Sequence, residues 1–104
     1  MYKRSTGSNP SAPQLDFAIS DVLGRWVSRG GSPRIRIYRN DRRKNGGYYI
    51  ELKYDEKTVF HRLLKRTNRH ICYFELYRAI GLAYDAEHDI LQLSAFGDYY
   101  RAEE

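Results

Sequence analysis

From Gly24 onward, apolar side chains recur at every second position in short runs, and this alternation constrains the chain more than any other feature. A strand places successive side chains on opposite faces, whereas an amphipathic helix repeats about every 3.6 residues. Turn residues separate the runs at a spacing of roughly ten residues, and no helical stretch lies between them to connect parallel strands. The pattern predicts a mainly β fold: a small antiparallel meander that closes into a barrel or half-barrel.

About seven or eight strands are expected in this part of the chain. The clearest are residues 25–29, 34–39, 48–54, 70–77, 79–84, 90–94 and 99–101. Residues 57–65 fit a helical stripe as well as a strand, and we favour a strand because Thr58, Val59 and Phe60 are good strand formers. The Asn45-Gly46 step predicts a hairpin turn before the third strand.

A different pattern precedes the strands. Residues 1–12 are rich in Ser, Gly, Asn and Pro, which predicts a disordered tail. A helix is predicted to begin at Pro13 and to end before Gly24, because the apolar residues between them recur at three- and four-residue spacing. The 104 residues fit one domain. We therefore expect a tail over 1–12 and a single β-barrel-like domain with an N-terminal helix over 13–104.

Alternation also assigns the faces of the first hairpin. If Arg29 faces Arg34 across the turn, Trp26 lies opposite Ile37 on the inner face. The outer face then carries Arg25, Val27, Arg29, Arg34, Arg36 and Tyr38. In the next hairpin one register pairs Arg36 with Glu51. A shift by two residues keeps the same faces, so the register stays open.

The basic charge is concentrated in that region. The chain carries a net charge of +5. Residues 25–47 hold eight basic side chains and one acidic one, a net +7, whereas residues 48–104 hold eight basic and ten acidic ones. Because local charge density decides whether a polyanion is attracted, the candidate binding surface lies here. Its residues are Arg25, Arg29, Arg34, Arg36, Tyr38, Arg42, Arg43 and Lys44.

Two interpretations of this surface remain open. The cations can contact phosphates while Tyr38, Tyr48 or Tyr49 stacks on unpaired bases, as in β-barrel proteins that bind single strands. Alternatively, it is a solvated strand face with cross-strand ion pairs such as Arg36 with Glu51. The sequence contains no established nucleic-acid-binding motif that decides between them.

Other candidate sites have simpler explanations. Aromatic residues predicted for the interior either line a ligand cup or, as we favour in so small a barrel, fill the core: Trp26, Tyr54, Phe60, Tyr73, Phe74 and Tyr84. Residues 85–89 hint at calcium ligands but fit a polar turn better. Cys72 is expected to be a core residue. No metal site, cofactor or catalytic constellation is predicted.

Two short patterns carry a resemblance. Gly24-Arg25-Trp26, at the junction of the predicted helix and the first strand, and Tyr100-Arg101, at the end of the last strand, resemble the calycin (lipocalin-like) pattern. That resemblance implies that the late Arg packs across the Trp at one end of the barrel. With residues 82–85, 89–94 and 97–101 as its closest match, the chain from about Leu23 to Arg101 resembles an uncharacterised small domain family carried by conjugative transposons of Bacteroides-type bacteria. This resemblance implies a compact β domain without a known activity. The combined signature residues are Gly24, Trp26, Tyr84, Asp85, Asp89, Gly97, Tyr99 and Arg101.

The expected function is that of a non-catalytic binding or interaction module of a mobile genetic element. Its partner is an unknown protein or a nucleic acid, and a lipocalin-like carrier of small hydrophobic ligands is a further alternative. A single Cys, no apolar run of the ~20 residues that a membrane span needs, and no apolar leader indicate a cytoplasmic protein. The oligomeric state is left open.

Overall fold

The computed structural model describes residues 13–42, 47–67 and 69–102, and these form a meander of nine strands. The strands are β1 Gly24–Ser28, β2 Arg34–Arg39, β3 Tyr48–Lys53, β4 Val59–Leu63, β5 Lys65–Arg66, β6 Cys72–Glu75, β7 Ala79–Asp85, β8 Ile90–Leu93 and β9 Gly97–Arg101. All neighbouring pairs are antiparallel, and the order across the sheet is β4-β3-β2-β1-β9-β8-β7-β6-β5.

This order nearly closes the sheet into a barrel. The first and last strands pair directly, with Trp26 opposite Arg101. The two strands at the ends of the order, β4 and β5, are separated in the chain by Leu64 alone. A single bent stretch therefore pairs with β3 through its first half and with β6 through its second half. The predicted mainly β fold, an antiparallel meander that curls towards closure, is confirmed.

Alternation along the strands fills the interior. Inward residues from neighbouring strands pair with one another, as Trp26 does with Ile35 and Ile37 does with Ile50. The fully buried side chains include Trp26, Ile37, Ile50, Leu52, Phe74, Ile80, Leu82, Leu91, Leu93 and Tyr99. Burying one large apolar side chain contributes about 1.5–3 kcal/mol, so this shared core is the main source of stability.

The predicted N-terminal helix is wrong. The segment contains only a 3₁₀ turn, Ile19–Val22, and Gln14 instead pairs with Tyr84 through two backbone hydrogen bonds of 2.9 Å. A short isolated helix is costly to nucleate, and a 3₁₀ turn already brings Ile19 and Val22 to one face because they are three residues apart. Both are buried in the core, and the Trp26 indole N–H donates to the Val22 carbonyl at 2.9 Å.

The hairpin registers were partly predictable. Trp26 lies opposite Ile35, so the predicted pairing with Ile37 is wrong by two residues, although the inner and outer faces are as expected. The strands end earlier than the alternation suggested, and Arg29 lies in the connection between β1 and β2. In the second hairpin the observed register is the one that pairs Arg36 with Glu51. The strand favoured within residues 57–65 is present as β4.

Two predictions fall outside the described residues: the tail over 1–12 and the Asn45-Gly46 turn. Among the residues that are described, no helix has the length and apolar character needed to cross a membrane.

Candidate functional site

The outer face of β1, β2 and β3 holds half of the predicted surface: Arg25, Arg34, Arg36 and Tyr38. Arg25 lies beside Arg36 across the β1–β2 pair, and Arg36 lies beside Glu51 across the β2–β3 pair. Arg34 is opposite Lys53 in the same sheet. These pairings bring the side chains together because antiparallel neighbours on one face lie about 4.5–5.5 Å apart.

A cleft of about 290 Å³ opens on this face. It is lined by Arg25, Trp26, Val27, Arg34, Ile35, Arg36, Glu51, Lys53 and Ala102. Four of those residues are cations and one is an acid. A second hollow adjoins it around Arg34 and Lys53 and continues along the turn that follows β3. We call the first hollow, with its four cations, the basic cleft.

The acid in the basic cleft is already paired. Arg36 Nη2 lies 3.1 Å from Glu51 Oε1, and both side chains are partly exposed. Lys53 Nζ lies 3.4 Å from the exposed Glu56. Exposed ion pairs of this kind contribute about 0–1 kcal/mol, so an incoming phosphate competes readily for their cations. The cleft therefore presents positive charge to an anion although some of its cations have local partners.

The tyrosines beside the cleft are engaged by protein groups. The rings of Tyr38 and Tyr49 stack at 5.8 Å with an interplanar angle of 21°. The Arg36 guanidinium lies 4.3 Å from the centre of the Tyr38 ring, and the Tyr38 hydroxyl is 2.9 Å from His61 Nδ1. Tyr49 is buried. This arrangement favours contacts with phosphates over stacking on bases.

The remaining residues of the predicted surface are dispersed. Arg29 lies over the ring of Tyr100, 3.9 Å from its centre, on the β9 side of the hairpin. Arg42 is exposed in the turn after β2. Arg43 and Lys44 lie outside the described residues. The structure thus brings together Arg25, Arg34, Arg36 and Tyr38, whereas neither Arg29 nor Arg42 lines the basic cleft.

Sequence reasoning missed Lys53 and Ala102 as parts of the cleft. Alternation on β3 places Lys53 on the same face as Glu51, so the signal for Lys53 was present but was not used. Ala102 follows the last strand, and its backbone N–H donates to the Arg25 carbonyl at 2.9 Å. Its position depends on the pairing of β1 with β9, which a strand pattern alone does not give.

A second cluster surrounds Arg101, the last residue of β9. The Arg101 guanidinium lies 4.3 Å from the centre of the Trp26 ring, as the resemblance implied. It donates to the carbonyl oxygens of Leu23 at 2.7 Å and Asp21 at 3.1 Å. It also pairs with Asp89, Nε to Oδ2, at 2.7 Å. One cation thus joins the segment before β1 to the β7–β8 turn.

Two signature residues, Gly24 and Tyr84, depend on Arg101 or on its partner Asp89. Gly24 has a φ of +121°, and a Cβ there would lie 3.2 Å from Arg101 Nη1. The Tyr84 hydroxyl donates to Asp89 Oδ1 at 2.7 Å. The hydrogen bond from Arg101 holds the pKa of Asp89 below its usual value, and burial raises the pKa of Tyr84. These contacts give Gly24, Tyr84, Asp89 and Arg101 a structural role: they hold this part of the fold together.

The turn after β7 is held by its own side chains. Asp85 is buried and lies 2.9 Å from His88 Nδ1, and it also accepts the backbone N–H groups of Glu87 and His88. Burial acts to raise the pKa of Asp85, but these hydrogen bonds outweigh it and hold the pKa below its usual value. The hydrogen bond to Asp85 raises the pKa of His88. The carboxylates of Asp85 and Asp89 therefore accept hydrogen bonds from other groups of this protein.

The other signature residues support β9. Gly97 begins the strand, and the buried Tyr99 donates its hydroxyl to the Pro33 carbonyl at 2.7 Å. Burial strongly raises the pKa of Tyr99, so its hydroxyl stays protonated and remains a donor. β9 is thereby fixed to the connection between β1 and β2.

The aromatic residues predicted for the interior divide into two groups. Trp26, Phe74 and Tyr84 are buried in the core. Tyr54 and Phe60 are partly exposed, with ring centres 5.9 Å apart, and Tyr73 is half-buried opposite Gly81. The buried rings pack among aliphatic side chains, as we favoured over a ligand cup.

Fold and surface together define a small antiparallel barrel-like protein with a basic cleft on its outer face. Comparison of the chain with protein-family models, with curated proteins and with solved structures gave no match.

Proposed function

We propose that this protein is a non-catalytic binding module that binds the phosphate backbone of a nucleic acid through the basic cleft. The observation that carries the proposal is the lining of the cleft, where four cations surround a hollow that contains one carboxylate. Guanidinium groups bind phosphate oxygens with two parallel hydrogen bonds, and three of the four cations are arginines.

Recognition on this face is independent of base sequence. Phosphate contacts position a strand without reading it, and Tyr38 and Tyr49 are engaged with each other and with Arg36. The affinity then comes mainly from released counterions and falls steeply with salt. The earlier expectation of base stacking by these tyrosines is no part of the proposal.

The setting in a mobile genetic element, which the resemblance implied, remains a prediction. A DNA-binding module is compatible with such an element, but the binding proposal rests on the cleft alone. A lipocalin-like carrier is less favoured, because Trp26 and Phe74 occupy the interior as core residues.

The test is a titration of the full chain against labelled 20-nucleotide DNA of two unrelated sequences, each single-stranded and as a duplex. We expect micromolar binding in low salt, with similar affinity for both sequences. A plot of log affinity against log salt should fall with a slope of about −0.7 for each phosphate contacted in a single strand. Absence of binding at micromolar protein, or binding that salt does not weaken, would refute the proposal.

A further inference from the structure

β4 lies at one end of the strand order, and its second edge pairs with no strand in the described part of the chain. The Leu64 N–H donates to the Tyr48 carbonyl at 2.8 Å, which fixes the hydrogen-bonding phase of the β3–β4 ladder. Because bonded and non-bonded positions alternate in an antiparallel pair, Phe60 and Arg62 bond to β3. The backbone groups of Val59, His61 and Leu63 consequently point away from the sheet.

Both faces of this strand expose apolar side chains. Val59 and Leu63, on one face, are 37% and 41% exposed. Phe60 and Tyr54, on the other side of the sheet, are 36% and 44% exposed. An edge strand that leaves both backbone groups and apolar side chains uncovered is a template for pairing with another strand.

The charge around the edge indicates which strand fits. Residues 57–63 contain two cations, Lys57 and Arg62, and no Asp or Glu. Arg62 Nη1 donates to the outward carbonyl of His61 at 3.0 Å. An added strand that takes this carbonyl displaces the guanidinium, and a carboxylate on that strand then rebinds it. The edge is therefore complementary to an acidic segment.

A second copy of this chain fits poorly. Antiparallel pairing of two β4 strands would bring together two edges that each carry Lys57 and Arg62 and no carboxylate within residues 57–63. Such an interface gathers like charges without a partner of opposite sign.

We propose that the free edge of β4 binds an extended acidic segment of a partner protein as an additional antiparallel strand. Apolar side chains of the segment cover Leu63 on one face and Phe60 on the other. Its carboxylates pair with Arg62 and Lys57. This edge adjoins the basic cleft, because Val59 and His61 lie opposite Lys53 and Glu51, which line the cleft.

The probe is a labelled, terminally blocked octapeptide of two valine-valine-glutamate-glutamate repeats, which presents both residue types on each face of a strand. It is titrated against the full chain by fluorescence anisotropy. Two control peptides test the two parts of the proposal: one replaces glutamate with lysine, and the other is N-methylated at three central amides. We expect the first peptide to bind and both controls to bind at least tenfold more weakly. Equal binding of all three peptides would overturn the proposal.

Amide hydrogen exchange locates the bound peptide. The amides of Val59, His61 and Leu63 should become protected, while those of Phe60 and Arg62, already bonded to β3, should change little. Protection in β1–β3 without protection in β4 would assign the peptide to the basic cleft and overturn the proposal. A protein that is dimeric without peptide, with the β4 amides already protected, would overturn the choice of partner.

A matched pair of variants tests the apolar contact. Leu63→Ser should weaken peptide binding at least tenfold, whereas Leu15→Ser, at another exposed leucine, should leave it unchanged. Leu15 is 53% exposed and precedes the 3₁₀ turn. Equal affinities of the two variants, with both folded by circular dichroism, would contradict a β4 site.

Discussion

Arg101 joins parts of the chain that are distant in sequence, because a single guanidinium has five N–H donors in a fixed plane. It contacts the Trp26 ring, the carbonyls of Asp21 and Leu23, and the carboxylate of Asp89. The backbone at Gly24 is shaped to leave room for it. The G-x-W pattern thus has a local physical cause: the glycine passes close to the guanidinium that covers the tryptophan.

Replacing Gly24 by Ala should lower the free energy of unfolding by about 1–3 kcal/mol, because a Cβ is strained at a φ of +121° and crowds Arg101. Gly30→Ala is the matched control, since its nearest contact would be an ordinary 3.7 Å from Ser28 Oγ. Urea unfolding followed by Trp26 fluorescence measures both. A loss at Gly24 no larger than that at Gly30 would contradict the close approach.

The ion pair of Asp89 with Arg101 should make stability depend on pH. The folded-state pKa of Asp89 lies below the ordinary value of 3.8, so its ionised form stabilises the fold above that value. This contribution is lost as the pH falls through the folded-state pKa. Asp89→Asn should therefore be less stable than the wild type at pH 7, and the gap in Tm should close below pH 3.8. A gap that stays constant down to pH 2 would show that the carboxylate charge is not responsible.

At the scale of strands and turns, the alternation of apolar residues predicted correctly which face of the sheet a side chain occupies. It predicted the ends of the strands less well. It predicted the outer face of β1 and β2 because each strand has one buried side, so alternate residues must all lie on that side and the others on the outer face. It gave a pairing register for the first hairpin that is wrong by two residues, because shifting one strand by two residues leaves every side chain on the same face. It also favoured a helix before Gly24, where Ile19 and Val22 fit a helix and a 3₁₀ turn equally well.

The candidate site was predictable only for residues whose position follows from the alternation of side chains along a strand. Arg25, Arg34 and Arg36 lie together because they share a face of neighbouring strands. The contribution of Ala102 and the departure of Arg29 towards Tyr100 depend on the pairing of β1 with β9, which connects the two ends of the meander. A local pattern carries no information about so distant a pairing.

β6 provides a probe of strand opening through Cys72. This thiol is buried, and burial raises its pKa to about 11. With the ordinary pKa at 9.0, the thiolate fraction near pH 8 falls about a hundredfold, so a disulfide reagent should label the native protein at least about a hundredfold more slowly than the unfolded chain. Fast labelling without urea would contradict the buried position of β6.

Labelling should also begin at lower urea than the change in Trp26 fluorescence. β5 pairs with β6 through only two residue pairs, whereas β1 pairs with β9 through three. Separating β5 from β6 therefore breaks fewer contacts than separating β1 from β9. Coincident midpoints would instead show that β5 and β6 unfold together with the rest of the sheet.

For the whole molecule, net charge and charge location are separate properties. The net charge of +5 gives every polyanion a weak general attraction, whereas the basic cleft concentrates four cations on one face. Variants of equal net charge can separate the two effects, because Arg69 and Arg78 lie in the connections before β6 and before β7 and do not line the cleft.

The double variant Arg25→Gln with Arg34→Gln should therefore weaken DNA binding and make the salt slope for single strands shallower by about 1.4, two phosphate contacts at about 0.7 each. The double variant Arg69→Gln with Arg78→Gln removes the same charge and should leave the slope close to that of the wild type. Anisotropy titrations across a salt series measure both slopes, and circular dichroism checks that both variants are folded. Equal losses in the two variants would mean that DNA responds to the total charge of the protein, with no role for the cleft.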